Sequence, residues 1–441
     1  MKITSYENLQ DQLKSLIDNS QMSVYQMIIV GICFVLNMND GVDVLVVSFT
    51  SSDIAKEWAL SDAALGYIFS AGLAGMTLGC FFLAPLGDKI GRRYMFITSL
   101  ILISAGMLGV YFVNAYGQLL ALRFLTGLGI GGILPTMAST ASEFSNAKNR
   151  DFNVGLIQAG WPVGAILTGF FVAWAVPMHG WRFAFLIAGI ISTLMLVLVV
   201  VYMPNSLAFL GKEQPENAHA QINTLLKKMG HEGIESLPEK PQKEASVPIS
   251  ALFTPEYKLS TMILWVAIFF GFLTLYTLLS WIPKIAKTSG MDAKTATYVG
   301  TILNLGAVLG TVGFGLLAKK LGLRHLLLSF MTIAFGAMVV YGNFKLDYTL
   351  IFLMTLLIGF FVQGGFNGFY PIAARVYPSA IRSTGVGLAM GVGRFGAILG
   401  PALFGILSDN GFTIAERFNL FSLPLLVAGV LAYHIPSKNL D

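Results

Sequence analysis

The stretch Gly164-Ala165-Ile166-Leu167 recurs 232 residues later as Gly396-Ala397-Ile398-Leu399, and this recurrence is the most informative feature of the chain. Val154-Gly155-Leu156 recurs at the same offset as Val386-Gly387-Leu388. Single glycines repeat in the same register, at positions 127 and 359 and at positions 132 and 364. Chance matches between segments rich in glycine and leucine are the alternative. A register that stays constant over the whole stretch favours two structural halves in tandem with the same polarity.

The composition places both halves in lipid. The chain is 55% hydrophobic and 12% charged, with a mean hydropathy of +0.71, whereas soluble proteins carry about 25% charged residues. Twelve continuous apolar runs are each long enough to cross a hydrocarbon core of about 30 Å as a helix. The predicted spans are 24–50, 61–86, 94–114, 117–142, 152–176, 182–203, 259–284, 295–319, 324–343, 347–376, 382–408 and 413–434. We therefore expect an all-α membrane protein of twelve transmembrane helices in two six-helix halves.

Polar segments divide the chain. The long polar stretch 205–258 separates six spans from six, so we expect an N-terminal half at 1–204, a cytoplasmic linker at 205–258 and a C-terminal half at 259–441. Residues 221–228 could form a short surface helix within the linker. The N-terminal segment 1–22 is polar and acidic, unlike a cleaved signal peptide, and is predicted to be a retained tail.

The basic residues predict the orientation. Of the 28 lysines and arginines, 19 fall on the side of the two termini and the linker, 7 fall on the other side, and Arg123 and Arg394 lie inside spans. Because basic residues favour the cytoplasm, both termini are expected to be cytoplasmic in a bacterial-type inner (plasma) membrane. The net charge of +5 is then a consequence of topology and gives no reason to expect a nucleic-acid partner.

The loop between spans 2 and 3 reads Leu86-Gly87-Asp88-Lys89-Ile90-Gly91-Arg92-Arg93. Its glycines allow a tight turn, and Asp88 can cap a helix and pair with a cation. The second half carries a degenerate copy at 318–324, in which Lys319 replaces the aspartate. The alternative is that these basic residues only anchor the topology. The loop resembles the signature loop of the major facilitator superfamily, which implies the major facilitator fold.

The resemblance also implies a gate. In that superfamily an acidic residue at the end of helix 4 bonds to the signature loop, which here implies a cluster of Asp88, Arg92 and Glu143 that holds one conformation shut. The gating residues that follow from the resemblance are Gly87, Asp88, Gly91, Arg92, Arg93 and Glu143.

Span 1 contains two ionisable residues in Asn39-Asp40-Gly41-Val42-Asp43. A charged side chain inside a span costs roughly 2.5–3.5 kcal/mol on insertion scales and is functional by default. Asp40 and Asp43 are three residues apart and share one face of a helix, in its outward half. Arg123 lies about two turns into span 4, at a similar depth. The three residues are predicted to couple protons, with a static ion pair that fixes helix packing as the alternative.

The Asp-Gly-x-Asp pattern resembles the aromatic acid:proton symporter family within the superfamily. The resemblance extends to Trp281-Ile282-Pro283 in span 7 and Gly393-Arg394-Phe395-Gly396 in span 11, although Val42 stands where an aromatic residue is expected. It implies proton-coupled import of a small organic anion, most readily an aromatic carboxylate, by alternating access. The alternative within this class is a non-aromatic acid such as a dicarboxylate or a sugar acid.

Arg394 is predicted to clamp the substrate carboxylate, because a guanidinium presents a fixed fork of donors near mid-membrane. Pairing with a helix-end carbonyl or another span is the alternative. Polar and aromatic residues of other spans could complete the site, although each alone could equally be packing. These further candidates are Gln363 and Asn367 in span 10, Tyr276 and Trp281 in span 7, and Gln158 and Trp161 in span 5.

Other classes of protein find less support. A membrane enzyme acting on lipid needs a nucleophile, a base or a metal constellation, and the sequence has no CxxC, HExxH or phosphate-binding glycine loop. A transporter-like receptor would carry a large extra cytoplasmic domain. Cys33 and Cys80 fall inside spans and are expected to be packing residues. We expect no cofactor and no metal; the expected partners are an organic anion, protons and the lipid bilayer, and the chain is expected to be monomeric.

Overall fold

The computed structural model describes residues 6–240 and 249–436, without the side chains of Asp88, Lys319, Ser379, Ala380 and Ser383. Every regular element in these residues is helical. Twelve helices are long and apolar enough to cross a membrane, so the prediction of an all-α protein with twelve spans is confirmed. Spans 1 to 6 are Val24–Trp58, Asp62–Gly87, Arg92–Val110, Tyr116–Glu143, Arg150–His179 and Trp181–Tyr202. Spans 7 to 12 are Lys258–Thr288, Ala293–Ala318, Leu323–Asn343, Tyr348–Val376, Thr384–Asp409 and Ile414–Tyr433.

Three short α-helices, Tyr6–Asn19, Leu207–Glu213 and Ala218–Lys228, lie outside the spans, and a 3-10 helix at Ile249–Phe253 precedes span 7. The helix Ala218–Lys228 confirms the surface helix expected in the linker. The helix Tyr6–Asn19 was not predicted; its apolar side chains Leu9, Leu13 and Ile17 are buried. Because an even number of spans separates them, the N-terminal helix, the linker and the end of span 12 share one face of the molecule. We call it the terminal face, and the opposite one the distal face.

Span 1 extends further toward the distal face than its hydropathy predicts, ending at Trp58 rather than near residue 50. Its last two turns are polar, but their carboxylates are paired. Asp53 accepts a hydrogen bond from Lys287 at 3.1 Å, and a carboxylate oxygen of Glu57 lies 2.7 Å from Arg182. These partners allow a helix to continue past the apolar segment. Asp40 and Asp43 consequently lie near the middle of this helix, not in its outward half.

The repeated glycines have the same packing role in both halves. A Cβ added at Gly164 of span 5 would lie 2.0 Å from the carbonyl oxygen of Met38 in span 1. A Cβ added at Gly396 of span 11 would lie 2.1 Å from the carbonyl oxygen of Phe269 in span 7. Small residues let helix backbones approach closely in lipid. The offset of 232 residues therefore reflects the same close contact made twice, between the first and fifth spans of each half.

The two halves are joined at the distal face. Lys284 of span 7 pairs with Asp62 at the start of span 2, and Ser408 of span 11 donates to the same carboxylate at 2.5 Å. The backbone N–H groups of Asp62 and Ala63 donate to the carboxylate of Asp409, each at 3.0 Å. We call these residues, with the Asp53–Lys287 pair, the distal seal.

Deeper in the molecule, two serines donate across the same interface. Ser48 donates to the carbonyl oxygen of Leu279 at 2.7 Å, and Ser70 donates to that of Ile398 at 2.6 Å. All cross-half hydrogen bonds between described residues lie in this distal and central part, and none lies at the terminal face. Among the described residues, the hydrogen bonds that join the two halves are thus concentrated in the distal and central part of the molecule.

Candidate functional site

Span 1 positions two buried aspartates in the middle of the molecule. Asp40 is 3% exposed and Asp43 is 1% exposed. Between them, a Cβ added at Gly41 would lie 2.1 Å from the carbonyl oxygen of Trp161 in span 5. No larger residue fits there without moving one of the two helices. The glycine of the Asp-Gly-x-Asp pattern therefore sets the depth and rotation at which span 1 presents its carboxylates.

Asp43 forms an ion pair with Arg123 inside the N-terminal half. Arg123 Nη1 lies 2.7 Å from Asp43 Oδ1, and Nη2 donates to the backbone oxygen of Asp43 at 3.3 Å. Both side chains are buried. Gly72 of span 2 provides room for the guanidinium, because a Cβ there would lie 3.2 Å from Nη2. The structure thus brings together two of the three residues predicted to couple protons.

Asp40 does not join this pair. Its Oδ1 is buried and has no hydrogen-bond partner among the described residues. Instead, the carboxylate is close enough to Arg394 of span 11 to interact electrostatically with it, as well as with the neighbouring Asp43. The two predicted aspartates therefore have different neighbours. Asp43 is paired within one half, and Asp40 lies within electrostatic range of a cation of the other half.

Arg394 lies at the midpoint of the helix Ser379–Asp409. Four groups from four spans surround it within electrostatic range. They are Asp40 of span 1, Cys80 of span 2, Tyr276 of span 7 and Tyr370 of span 10. Arg394 makes no hydrogen bond or ion pair with any described residue, although it lies at mid-membrane depth. We call these five residues the central cluster.

Aromatic rings extend the central cluster on the side of the C-terminal half. Tyr276 stacks on Phe272, with ring centroids 5.7 Å apart and an interplanar angle of 21°. Phe366 contacts Phe272 edge to face at 4.6 Å, and its centroid lies 6.3 Å from that of Tyr370. A cation in front of such a wall can hold a flat anion by its charge and its ring together.

Two irregular helices supply members of the cluster that the sequence did not predict. Cys80, expected to be a packing residue, lies in a π-helical turn at Gly79–Leu83. Span 10 is broken at Gly368, between the helices Tyr348–Asn367 and Phe369–Val376, and Tyr370 follows the break. Such irregularities often accompany functional sites. The Gly364-Gly365 and Gly368 positions were the available signal in span 10; span 2 offered none that singled out Cys80.

Trp281 lies outside the central cluster. It is 1% exposed, and its indole N–H donates to the carbonyl oxygen of Pro401 at 3.1 Å. Its ring packs against Phe69 and Phe404. Five residues after Tyr276 correspond to about 140° of net rotation and about 7.5 Å of rise, so both cannot face one site. In this structure Trp281 packs between spans 2, 7 and 11, and its role as a substrate ligand stays a prediction.

The amides of span 10 bond to each other and to span 8. Gln363 donates to Asn367 Oδ1 at 3.2 Å, and Asn367 donates to Thr311 Oγ1 at 2.7 Å. In span 5, Gln158 is exposed and Trp161 is half-buried. None of these four residues bonds to a described member of the central cluster. Their role as substrate ligands stays a prediction.

The predicted gating residues gather at the terminal face of the N-terminal half. Arg92 Nη2 lies 2.6 Å from Glu143 Oε1, and Arg93 donates to the carbonyl oxygen of Val200 at 2.7 Å. Gly91 has a φ of +96°, as the tight turn requires, and Gly87 packs against Met95. The side chain of Asp88 lies outside the described part. Arg92 and Glu143 pair within one half, at the opposite face from the distal seal.

Comparisons with known proteins agree with this architecture. The profile of the Major Facilitator Superfamily matches residues 30–341 and 264–440. The 4-hydroxybenzoate transporter PcaK of Pseudomonas putida is 30% identical over 95% of this chain and 94% of its own length. The gallate transporter of the same organism is 28% identical over 95% and 93%. The 3-(3-hydroxy-phenyl)propionate transporter of Escherichia coli is 28% identical over 95% and 96%.

Among solved structures, a D-xylose-proton symporter superimposes with a TM-score of 0.74 at 17% identity, covering 94% of this chain and 99% of the other. This likeness supports the fold. The relatives support the predicted resemblance to aromatic acid symporters. With twelve spans and matches along almost its whole length, the chain is an integral membrane transporter, not an enzyme, and it belongs to the Major Facilitator Superfamily.

Proposed function

We propose that this chain is a proton-coupled importer of an aromatic carboxylate that works by alternating access. The observation that carries the proposal is Arg394, a mid-membrane cation without a bonded partner among the described residues, set against an aromatic wall and opposite the carboxylate of Asp40. An unpaired charge at this depth is costly. A substrate carboxylate would supply the missing partner, and its ring would cover Phe272, Tyr276 and Phe366.

The printed names of the relatives support the substrate class. Gallate, 4-hydroxybenzoate and 3-(3-hydroxyphenyl)propionate are the cargo named for three of them, and each is an aromatic carboxylate with at least one ring hydroxyl. The phenols of Tyr276 and Tyr370 can donate to or accept from such hydroxyls. The aromatic wall therefore favours these acids over dicarboxylates and sugar acids.

The coupling follows from charge. An ionised Asp40 competes with an incoming anion for Arg394 and repels it. A proton on Asp40 removes this competition, so that the anion and the proton occupy the site together and leave together. Asp43 and Arg123 neutralise each other and hold span 1 against span 4 while this exchange takes place.

Alternating access gives the two faces their roles. With the terminal face cytoplasmic, as the basic residues predict, the distal seal would close the site to the outside. The halves 1–204 and 259–441 would rock about the central cluster, joined by the linker 205–258. The Arg92–Glu143 pair would then shape the cytoplasmic end of the N-terminal half for closure against the other half.

The test is uptake by purified protein in vesicles with an alkaline interior. Labelled 4-hydroxybenzoate should accumulate above its equilibrium level, and a protonophore should abolish the accumulation. Succinate and gluconate, offered at the same concentration, should accumulate far less. Accumulation of either aliphatic acid in preference to the aromatic one would refute the substrate class, and accumulation that survives the protonophore would refute the coupling.

A further inference from the structure

A cavity of about 490 Å³ lies at the distal face, and none of its lining residues belongs to the central cluster. Its wall comes from both halves: the end of span 1, the end of span 5 and the start of span 6 on one side, and the end of span 7 and the start of span 8 on the other. Small-molecule sites commonly have volumes of about 300–1,000 Å³. The cavity is thus large enough for a small organic ligand.

The carboxylates of this cavity already have partners. Asp53 accepts a hydrogen bond from Lys287 across the two halves at 3.1 Å. Glu57 accepts hydrogen bonds from the indole of Trp181 at 2.7 Å and from Arg182 at 2.8 Å. Neither carboxylate therefore balances a further cation.

In contrast to these carboxylates, two lysines on the wall of the same cavity have no ion-pair partner among the described residues. Lys56 at the end of span 1 and Lys294 at the start of span 8 are both exposed. One belongs to the N-terminal half and the other to the C-terminal half. Among the described residues, the cavity therefore presents two ammonium groups with no carboxylate within ion-pair distance, one from each side of the interface.

The remainder of the wall is largely apolar. Phe49, Val176 and Pro283 line it, and Phe49 and Pro283 meet at Gly300, the close contact between span 1 and spans 7 and 8. An inorganic anion could bind the lysines but would not cover the apolar part of the wall. An apolar body with one negative charge satisfies both parts of the wall, because pockets of this kind combine a mostly apolar lining with a few convergent charges.

We propose that the distal cavity is a second binding site, which takes an organic monoanion with an apolar body and holds the distal face closed. Because the wall is complete only while the halves meet at this face, the occupant binds this conformation in preference to the open one. A ligand shifts an equilibrium by its differential affinity for the two states. An external organic anion should therefore delay reopening and slow uptake at high concentration.

This inference depends on the proposed function only for its transport readout, so binding is measured first. The probe is benzenesulfonate, a permanently ionised aromatic anion, with purified full-length protein in phosphatidylcholine vesicles, which offer no anionic headgroup. The background is Arg394→Lys, which weakens the central site. In this background the double variant Lys56→Gln/Lys294→Gln should bind the probe at least about tenfold more weakly, since it loses both charged donors.

The matched control is Lys345→Gln, an exposed lysine of the same face outside the cavity, which should leave the isotherm unchanged. An isotherm that is the same with and without Lys56 and Lys294 would overturn the second site. So would a loss of all binding in the Arg394→Lys background alone, a result that would leave the proposed function intact. In uptake assays, external benzenesulfonate should lower the maximal rate when both lysines are present and should lose that effect in the double variant.

Discussion

Asp40 and Asp43 lie on the same turn of span 1 but have different neighbours. Three residues correspond to a difference of about 60° in direction and about 4.5 Å in height. That difference places Asp43 against Arg123 of the same half and Asp40 within range of Arg394 of the other half. The sequence predicts that intramembrane charges need partners, but the choice of partner depends on helix rotation and on the approach that Gly41 allows. The same limit applies to Cys80, whose position depends on a π-helical turn that no residue pattern marks.

Neutralising Asp40 and neutralising Asp43 should therefore have different effects on transport and stability. Asp40→Asn removes the proposed proton site without breaking a bond, so gradient-driven accumulation should be lost while exchange of internal for external substrate persists. Asp43→Asn leaves Arg123 buried without its counter-ion, which typically costs about 3–5 kcal/mol, so thermal stability and exchange should both fall. Uptake, exchange and melting temperature are measured on each variant. Full accumulation in Asp40→Asn would exclude it as the coupling residue.

Substitution with lysine should also distinguish the roles of Arg394 and Arg123. Arg394→Lys keeps the charge but loses the fork of donors, so affinity for 4-hydroxybenzoate should fall by about 1.5–3 kcal/mol, the range for a hydrogen bond to a charged group. Arg123→Lys should have a smaller effect on affinity and a larger one on coupling. Equilibrium binding gives the first quantity and accumulation gives the second. The reverse pattern would mean that the two roles are exchanged.

At the scale of helices, the contacts that place the site are backbone to backbone. Span 5 packs on span 1 through Gly164 and span 11 packs on span 7 through Gly396, and the sequence repeat alone marks these two glycines as equivalent. The twelve spans were predictable because hydropathy reports burial in lipid. The distal extension of span 1 was not, because its polar turns are stabilised by Lys287 and Arg182, residues distant in sequence.

Gly41 offers a direct test of this packing. In Gly41→Ala the new Cβ meets the Trp161 carbonyl oxygen at 2.1 Å, so spans 1 and 5 must separate, and overpacking of this kind typically costs about 1–3 kcal/mol. Gly31→Ala is the matched control on the same helix, because a Cβ there has nothing within 4 Å. Thermal unfolding in detergent should show a lower midpoint for Gly41→Ala only. Equal midpoints would mean that the two helices adjust freely at this level.

In the whole molecule, the hydrogen bonds and ion pairs seen between described residues of the two halves lie toward the distal face. The composition and the repeat predict two halves and their orientation, but they cannot predict which face is closed, because both conformations use the same sequence and the same hydropathy. Three of the described cross-half bonds involve Asp62: its carboxylate meets Lys284 and Ser408, and its backbone N–H donates to Asp409. Substitution of Asp62 should therefore weaken the contact between the halves at the distal face more than any other single substitution there.

Neutralising Asp62 should shift the molecule toward a state open at the distal face. Spin labels at Asn114→Cys and Lys345→Cys, one on each half, report the separation across that face when Cys33 and Cys80 are replaced by serine. Ion pairs near the surface contribute about 0–1 kcal/mol each, and the half-buried Asp62–Lys284 pair belongs at the upper end of that range, so Asp62→Asn should change the ratio of closed to open states by roughly fivefold.

The appropriate control for Asp62→Asn is Arg182→Gln, which breaks an ion pair at the same face but within one half, since Arg182 and Glu57 both belong to the N-terminal half. Its distance distribution should match that of the parent. If Asp62→Asn leaves the distances unchanged, or if Arg182→Gln widens them equally, the seal does not act through its cross-half bonds. The closed distal face would then depend on the apolar packing of span 2 on span 11, where Gly66 meets the backbone of Pro401 and Ala402, and Gly66→Ala would become the substitution that opens it.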